Sequence, residues 1–266
     1  MAFVLSMKVA MKRLSIFLLL MIFASSSGCQ LWVPARQGTA ISACSTLVQG
    51  VNSLQSSDIP EYLWTTGMKN GDEFDVNQYF NVLTHISVRE GYTLDYLYEI
   101  DSLGGYPLLY ARPVDQVPYA SAAHIPGNGE WQDFREYVDV DDTEQGYFEY
   151  VVLDILADQF YLYWHANYND TQIVCNRQQV YDIVAQVNSG DFGEALDPAG
   201  QEKARTLRNI VPVVNLTGDV AVVELVTFTK WGGFYRLNYT ISREAPHRIL
   251  DVQQENLIPY DCGIMF

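Results

Sequence analysis

Apolar and polar residues change their spacing several times along the chain, and each change marks an element. Residues 14–23 form an apolar run broken only by Ser15, preceded by Lys8, Lys12 and Arg13 and followed by Ser25-Ser26-Ser27-Gly28-Cys29. A basic start, a short apolar stretch and small residues are the pattern of an export signal, and the run is too short to span a bilayer. Met1–Ser6 adds nothing to it, so Met7 or Met11 would serve as its start equally well. Residues 29–40 then read as a tether with Pro34 and Gly38. Residues 41–55 suit a helix that Asp58 and Pro60 interrupt, and from Asp75 the residues Tyr79, Phe80, Val82, Leu83 and Ile86 form a second helical stripe. Period-two alternation follows: Tyr92, Leu94, Tyr96, Tyr98 and Ile100 alternate with Thr93, Asp95, Leu97, Glu99 and Asp101. Ser102-Leu103-Gly104-Gly105 turns the chain onto Tyr106, Leu108 and Tyr110, which predicts a hairpin.

Proline and glycine at Pro113, Pro118, Pro126, Gly127 and Gly129 predict a loop and a subdomain boundary. A long helix is expected over 144–167, with Leu153, Leu156, Phe160, Tyr163 and Trp164 on one face, and further helices over 177–187 and 194–207. Residues 211–216, 220–229, 234–242 and 248–255 read as four strands joined by connections short enough for antiparallel hairpins. In the third, Tyr235, Leu237, Tyr239 and Ile241 alternate with Arg236, Asn238, Thr240 and Ser242. The expected class is therefore α+β: helices packed on one face of a curved antiparallel sheet with a C-terminal four-stranded meander, plus a smaller N-terminal helix and hairpin region. The expected division is a signal at 1–28, a tether at 29–40, a subdomain at 41–118, an acidic Pro/Gly linker at 119–143 and a main domain at 144–266.

Two resemblances follow from these residues. The stretch 11–29, ending on Gly28-Cys29, resembles a bacterial lipoprotein signal, although Ser26 stands where that family usually has Leu. The resemblance implies cleavage before Cys29, a diacylglyceryl group on its sulfur, usually with acylation of the new amino end, and anchorage to the outer face of a bacterial membrane. An ordinary secretory signal cut nearby is the alternative. The Tyr-rich stretch 92–112 also resembles parts of uncharacterised bacterial lipoproteins, which implies no activity. Helices followed by a meander over 145–258 are similar in architecture to the cystatin-like or nuclear-transport-factor-like roll. That likeness implies a pocket between a concave sheet and its helices, a setting that serves enzymes and binding proteins alike.

Charge narrows the partners. The chain carries 16 basic and 32 acidic residues, and 1–28 holds three of the basic ones and none of the acidic, so the remainder has 13 against 32, a net charge of −19. Such a surface disfavours nucleic acid and anionic lipid head groups, so the expected membrane attachment is the acyl chains themselves. Hydrophobic content of 48% with 18% charged residues is that of a globular protein. Beyond Cys29 remain Cys44, Cys175 and Cys262. No CxxC spacing occurs, which argues against a thiol-redox centre or structural zinc. The expected disulfide is Cys175–Cys262, tying the C-terminus back to the central helices.

Candidate chemistry is sparse. Asp139, Asp141, Asp142 and Glu144 place hard oxygen ligands close together, as calcium requires, and Asn70, Asp72, Glu73 and Asp75 form a second acidic turn. Both also read as solvated or helix-capping turns. Otherwise no cofactor is expected. On the expected long helix, Asp154, Asp158 and His165 fall near one face and suit acid–base work or metal binding; the alternative is a wet helix face. The HExxH, GxSxG, SxxK and GxxxxGK[ST] patterns are absent. Aromatic residues make up 13% of the chain. Trp164, Trp231 and Tyr235 are the candidate binding aromatics, with Trp231, in a tight turn, expected to be the most exposed. The leading expectation is a non-catalytic, lipid-anchored ectodomain that binds an envelope protein or a small ligand. An envelope hydrolase acting on glycans or peptides, with Asp154 and Asp158 as its carboxylates, is the alternative, and a structural subunit of an envelope complex is the second.

Overall fold

The apolar stretch after residue 143 forms a helix with no wet face, and the remaining elements are arranged around it. A computed structural model describes residues 37–124, 133–190 and 193–263. The signal 1–28, Cys29 and most of the tether lie outside the described residues, as does part of the 119–143 linker. In chain order the elements begin with β1 (Thr39–Ala40), α1 (Cys44–Leu54), α2 (Glu61–Thr66), β2 (Ile86–Val88), β3 (Tyr92–Asp101), β4 (Gly104–Pro113) and β5 (Val138–Val140). They continue with α3 (Glu144–Leu156), β6 (Tyr163–Trp164), β7 (Gln172–Val174), α4 (Arg177–Asn188) and α5 (Pro198–Thr206). The last four are β8 (Val213–Thr217), β9 (Val220–Thr229), β10 (Gly233–Ser242) and β11 (Ile249–Pro259). Short 3-10 turns lie between several of these.

Thr143 caps α3, its hydroxyl accepting the Gly146 N–H at 3.0 Å. Every residue from Gly146 to Leu153 is buried, as expected only for a helix enclosed on all sides. The polar groups it carries inside are paired, as burial demands. The Tyr150 hydroxyl donates to the His247 carbonyl at 2.6 Å. The Tyr147 hydroxyl donates to Asp142 at 3.0 Å. Glu149, only 1% exposed, accepts the His85 N–H at 2.7 Å and the Gln145 amide at 3.0 Å, and burial raises its pKa.

The helix expected over 144–167 stops at Leu156. Ala157 closes it through a bond to the Leu153 carbonyl at 2.9 Å, and Tyr161 (φ 53°) and Trp164 (φ 55°) take left-handed backbone conformations. Phe160 explains the break. Its ring enters the core edge-on to Phe74 and Tyr96, each 4.9 Å away, and Tyr161 turns beside it at 5.3 Å. A helix continued through 164 would point Phe160, Tyr161, Tyr163 and Trp164 over an arc wider than one apolar stripe.

The main sheet is wholly antiparallel in the order β1-β8-β9-β10-β11, with β7 also paired to β9. The C-terminal meander expected from the sequence is present. Its helices do not keep to one face, however. Val223, Leu225, Tyr239 and Ile241 join the core of α3, whereas Val226, Phe228, Phe234 and Ile258 join a second core with Val180, Ile183 and Ala204 of α4 and α5. Alternation along β9 and β10 sends side chains to both faces, and each face is covered at its own end.

The hairpin is present, with Tyr96 opposite Leu109 and Tyr98 opposite Pro107. Its β3 strand buries Leu94 through Tyr98 without a break, so both of its faces are covered there. On one of them Asp95 forms ion pairs with Lys69 and Arg112. Residues from Gln37 onward form one compact unit. The main core mixes Leu47 and Tyr96 with Val152 and Val223, so the 119–143 stretch does not separate two cores as the sequence suggested.

Cys175 pairs with Cys44, not with Cys262, across a Cα–Cα distance of 5.6 Å. The alternation of β7 decides this. Ile173 and Cys175 face the main core, where Cys44 lies at the start of α1, while Cys262 is a buried thiol in the second core. The C-terminal strap is held by backbone instead: Glu194 N–H donates to the Cys262 carbonyl at 3.0 Å and Cys262 N–H to the Lys230 carbonyl at 3.2 Å. The two bridged cysteines are 131 residues apart, and removal of a native bridge typically costs about 2–5 kcal/mol. Replacing Cys44 and Cys175 together by Ala is therefore expected to lower stability by about that amount in denaturant titrations. An unchanged midpoint, or peptide mapping that finds Cys262 in a bridge, would refute the pairing.

Candidate functional site

The break after α3 creates a cavity. Leu156 ends the helix, Phe160 and Tyr161 anchor the chain in the core, and two residues later Tyr163 and Trp164 pair as β6 with Gly105 and Gly104 at the start of β4. The Tyr98 hydroxyl donates to the Tyr161 carbonyl at 2.7 Å, and Tyr161 N–H donates to the Ser56 carbonyl at 3.0 Å. Gly104 is required at the pairing: its φ is +146°, and a Cβ there would lie 2.2 Å from the Tyr163 carbonyl oxygen. A 3-10 turn, His165–Tyr168, then carries the chain back toward β7.

Between this looping segment and β4 lies a cavity of about 660 Å³, within the size range of small-molecule sites. Leu103, Tyr106, Pro107 and Leu108 line it from the hairpin, and Leu162, His165, Ala166 and Tyr168 from the loop, with Asp101, Asp158 and Asn169 as further polar groups. The Tyr106 hydroxyl donates to Asp101 at 3.1 Å. Burial, with the nearby Asp154 charge adding to it, pushes the Asp158 carboxyl up to about 6, against the opposing pull of its own backbone N–H, the Asn169 amide and Arg135. Apolar surface continues outward from the cavity. Leu103 and Trp164 are each 63% exposed, Trp164 stands edge-on to His165 at 5.1 Å, and Tyr163 stacks on Trp64 at 5.7 Å.

The expected candidates fall at varied distances from this cavity. Trp164 flanks it, and it is more exposed than Trp231, which packs partly buried on the second core and edge-on to Tyr168 at 4.4 Å. Tyr235 lies over the Gly232 turn, where a Cβ on that glycine would meet its hydroxyl at 2.2 Å, and takes no part in the cavity wall. Asp154 and Asp158 do not share a helix face, because the helix ends between them. Neither is in open solvent, yet they do different things. Asp154 accepts from Arg135 at 3.0 Å and from the Tyr239 hydroxyl, while Asp158 and His165 line the cavity.

The expected calcium ligands turn to separate partners. Asp139 pairs with Arg89 at 3.3 Å, Asp141 with His85 at 2.6 Å and Asp142 with Arg243 at 2.7 Å. The Glu144 carboxylate accepts from the Thr39 hydroxyl at 3.1 Å. Arg243 holds the Asp142 carboxyl down at about 2. In the other acidic turn, Glu73 accepts from the Gly71 N–H at 2.9 Å, and Asp75 caps the next turn by accepting from Asn77 N–H at 2.9 Å. Among the described residues no three His, Cys, Asp or Glu side chains come together as metal ligands would.

The cavity residues Tyr106, Leu108 and Leu162 did not stand out in the sequence. Their only signals were the alternation of the hairpin and the density of aromatics near 160–168. No family model, no curated protein and no solved structure matches the chain.

The sign of the Asp158 effect is fixed. Its folded-state value, about 6, exceeds the ordinary 3.8, so between these pH values the folded protein holds a proton that the unfolded chain releases, and stability falls as pH rises through that window. Asp158→Asn is expected to raise stability by roughly 1–3 kcal/mol at pH 7 and hardly at all at pH 4. Equal gains at both pH values in denaturant titrations would refute the assignment.

Proposed function

We propose that the protein is exported, anchored by lipid on Cys29, and that its folded domain binds a small, largely apolar ligand in the cavity between the β3–β4 hairpin and residues 158–169. The observation that carries the binding reading is the cavity itself: about 660 Å³, walled mainly by Leu, Pro and Tyr side chains, with one half-buried carboxyl and an apolar rim outside it. Concave, mostly apolar sites with a few placed polar groups are the usual form of ligand pockets. Exposed Trp164, Leu103, Tyr163 and Trp64 beside it form a surface rarely left uncovered without use. The anchorage rests on the 11–29 signal alone. Among the described residues no helix is long and apolar enough to cross a membrane.

The same cavity supports a second reading, an envelope hydrolase, because Asp158 with its carboxyl near 6 shares the cavity with His165, and a group near that value can exchange protons at neutral pH. Turnover of a glycoside or peptide substrate that disappears in Asp158→Asn would favour this reading over simple binding.

Two measurements test the main reading. Nile red, a neutral apolar dye, is expected to bind the full chain with a fluorescence rise that Ala166→Phe, which places a ring in the cavity, reduces at least tenfold in affinity. Equal binding by the two proteins would remove the cavity from the proposal. Cys29→Ser is expected to move the protein from the membrane fraction to the soluble exported fraction and to abolish labelling by a palmitate analogue. Persistent membrane association without label would end the anchor reading.

A further inference from the structure

The charges around the cavity are of one sign. Asp158 and Asp101 line it, and among the described residues no Lys or Arg does. The guanidinium that acts on Asp158, Arg135, is already paired with Asp133 at 2.7 Å and with Asp154 at 3.0 Å, so it adds little positive charge there. Among the described residues the hydrogen bond that another side chain makes to Asp158 is long, 3.5 Å from the Asn169 amide. A half-buried carboxylate with so few partners is stabilised by a donor or a cation. Tyr106 and Tyr168 in the lining suit a cation as well, since the face of a Tyr ring attracts positive charge.

We infer that the ligand is an apolar ammonium ion, an alkyl- or arylamine, whose hydrocarbon body lies against Leu108, Leu162 and Tyr168 and whose charged nitrogen bonds the Asp158 carboxylate. The inference rests on the reading of this cavity as a ligand site and adds the sign of the ligand's charge. Binding of the cation ionises Asp158, and its proton passes to solvent, so the carboxyl that is partly protonated near pH 6 in the empty protein becomes a full carboxylate in the complex. The groups facing it are Asp154 and Arg135 from α3 and the preceding turn, and His165, Asn169 and Asp101 around the cavity. Among them the one fixed cation is Arg135, which is already paired with Asp133 and Asp154. Affinity for an amine is therefore expected to fall as pH drops below about 6, where Asp158 must first be deprotonated.

The test compares three probes of equal length, octylamine, 1-octanol and octanoate, by titration calorimetry at pH 7.5. The full chain carrying Cys29→Ser is used, so that detergent is not needed. Octylamine is expected to bind at least tenfold more tightly than 1-octanol, and octanoate more weakly than both. At pH 5 the octylamine affinity should fall several-fold while that of 1-octanol stays the same. In Asp158→Asn, confirmed as folded by its melting curve, octylamine and 1-octanol should bind within threefold of each other. Equal binding of octylamine and 1-octanol by the Asp158 protein, or a preference for octanoate, would overturn the ammonium inference and leave the apolar ligand site standing. If none of the three binds while Nile red also fails, the ligand-site reading falls with it.

Discussion

A helix buried on every side must have each of its polar groups met by the surrounding chain, and that demand on α3 fixes much of this molecule. Burying a hydroxyl or carboxyl without a partner costs about 1–3 kcal/mol in proteins. Tyr150 therefore ties the helix to the loop at His247, Tyr147 to Asp142, and Glu149 to the backbone of His85. Asp142 in turn holds Arg243 at the end of β10. These bonds fasten the N-terminal elements and the C-terminal sheet to one helix, which is why a chain whose sequence suggests two subdomains forms a single main core. The Cys44–Cys175 bridge adds a covalent tie between the start of α1 and the end of β7.

How the helix ends matters as much as how it is buried. Beyond Leu156 the chain needs to place Phe160 between Phe74 and Tyr96, and it does so by leaving the helical path. Two aromatic residues then adopt positive φ. Asp142 and Asn209 do so as well, but Asp and Asn tolerate that region, whereas an aromatic there is uncommon and costs of order 1–3 kcal/mol. Tyr161 and Trp164 fall in one short segment, which the β6–β4 pairing at Gly104 holds in place. The cavity is the space left between that detour and the hairpin.

Periodicity made the regular parts of the structure legible. The strands of the meander, the 92–113 hairpin, α4 and the start of α3 all appear where alternation or a 3.6-residue stripe places them, because local spacing decides which residues can face a core. The failures share a cause. Tyr163 and Trp164 fit the stripe of a longer helix, and only the tertiary pull on Phe160 ends it earlier. Alternation in β9 and β10 shows two faces without saying what covers each, so it does not reveal the second core. The pairing of Cys175 depends on which face of β7 it occupies, and that follows from the β7–β9 register, a long-range fact. The cavity is built by residues 101–108 and 158–169, segments about fifty positions apart, so no local window contains it.

Electrostatics separates this cavity from the rest of an acidic surface. Elsewhere buried or half-buried carboxylates find cations or amides: Asp95 has Lys69 and Arg112, Asp154 has Arg135, and Glu149 has two N–H donors. Asp158 has its own backbone N–H, a long contact from one amide and a neighbouring carboxylate, and burial raises its pKa. A carboxyl placed this way makes the folded state less stable at neutral pH than an amide of the same shape would. Strained aromatic backbone lies within six residues of it on the same segment. Local rules broken together at one place, while the surrounding chain obeys them, are characteristic of a site shaped by something it must hold. The charge that would relieve Asp158 is positive, and the walls that would surround it are apolar. Those two requirements together, rather than the cavity's size, give the site its chemical selectivity.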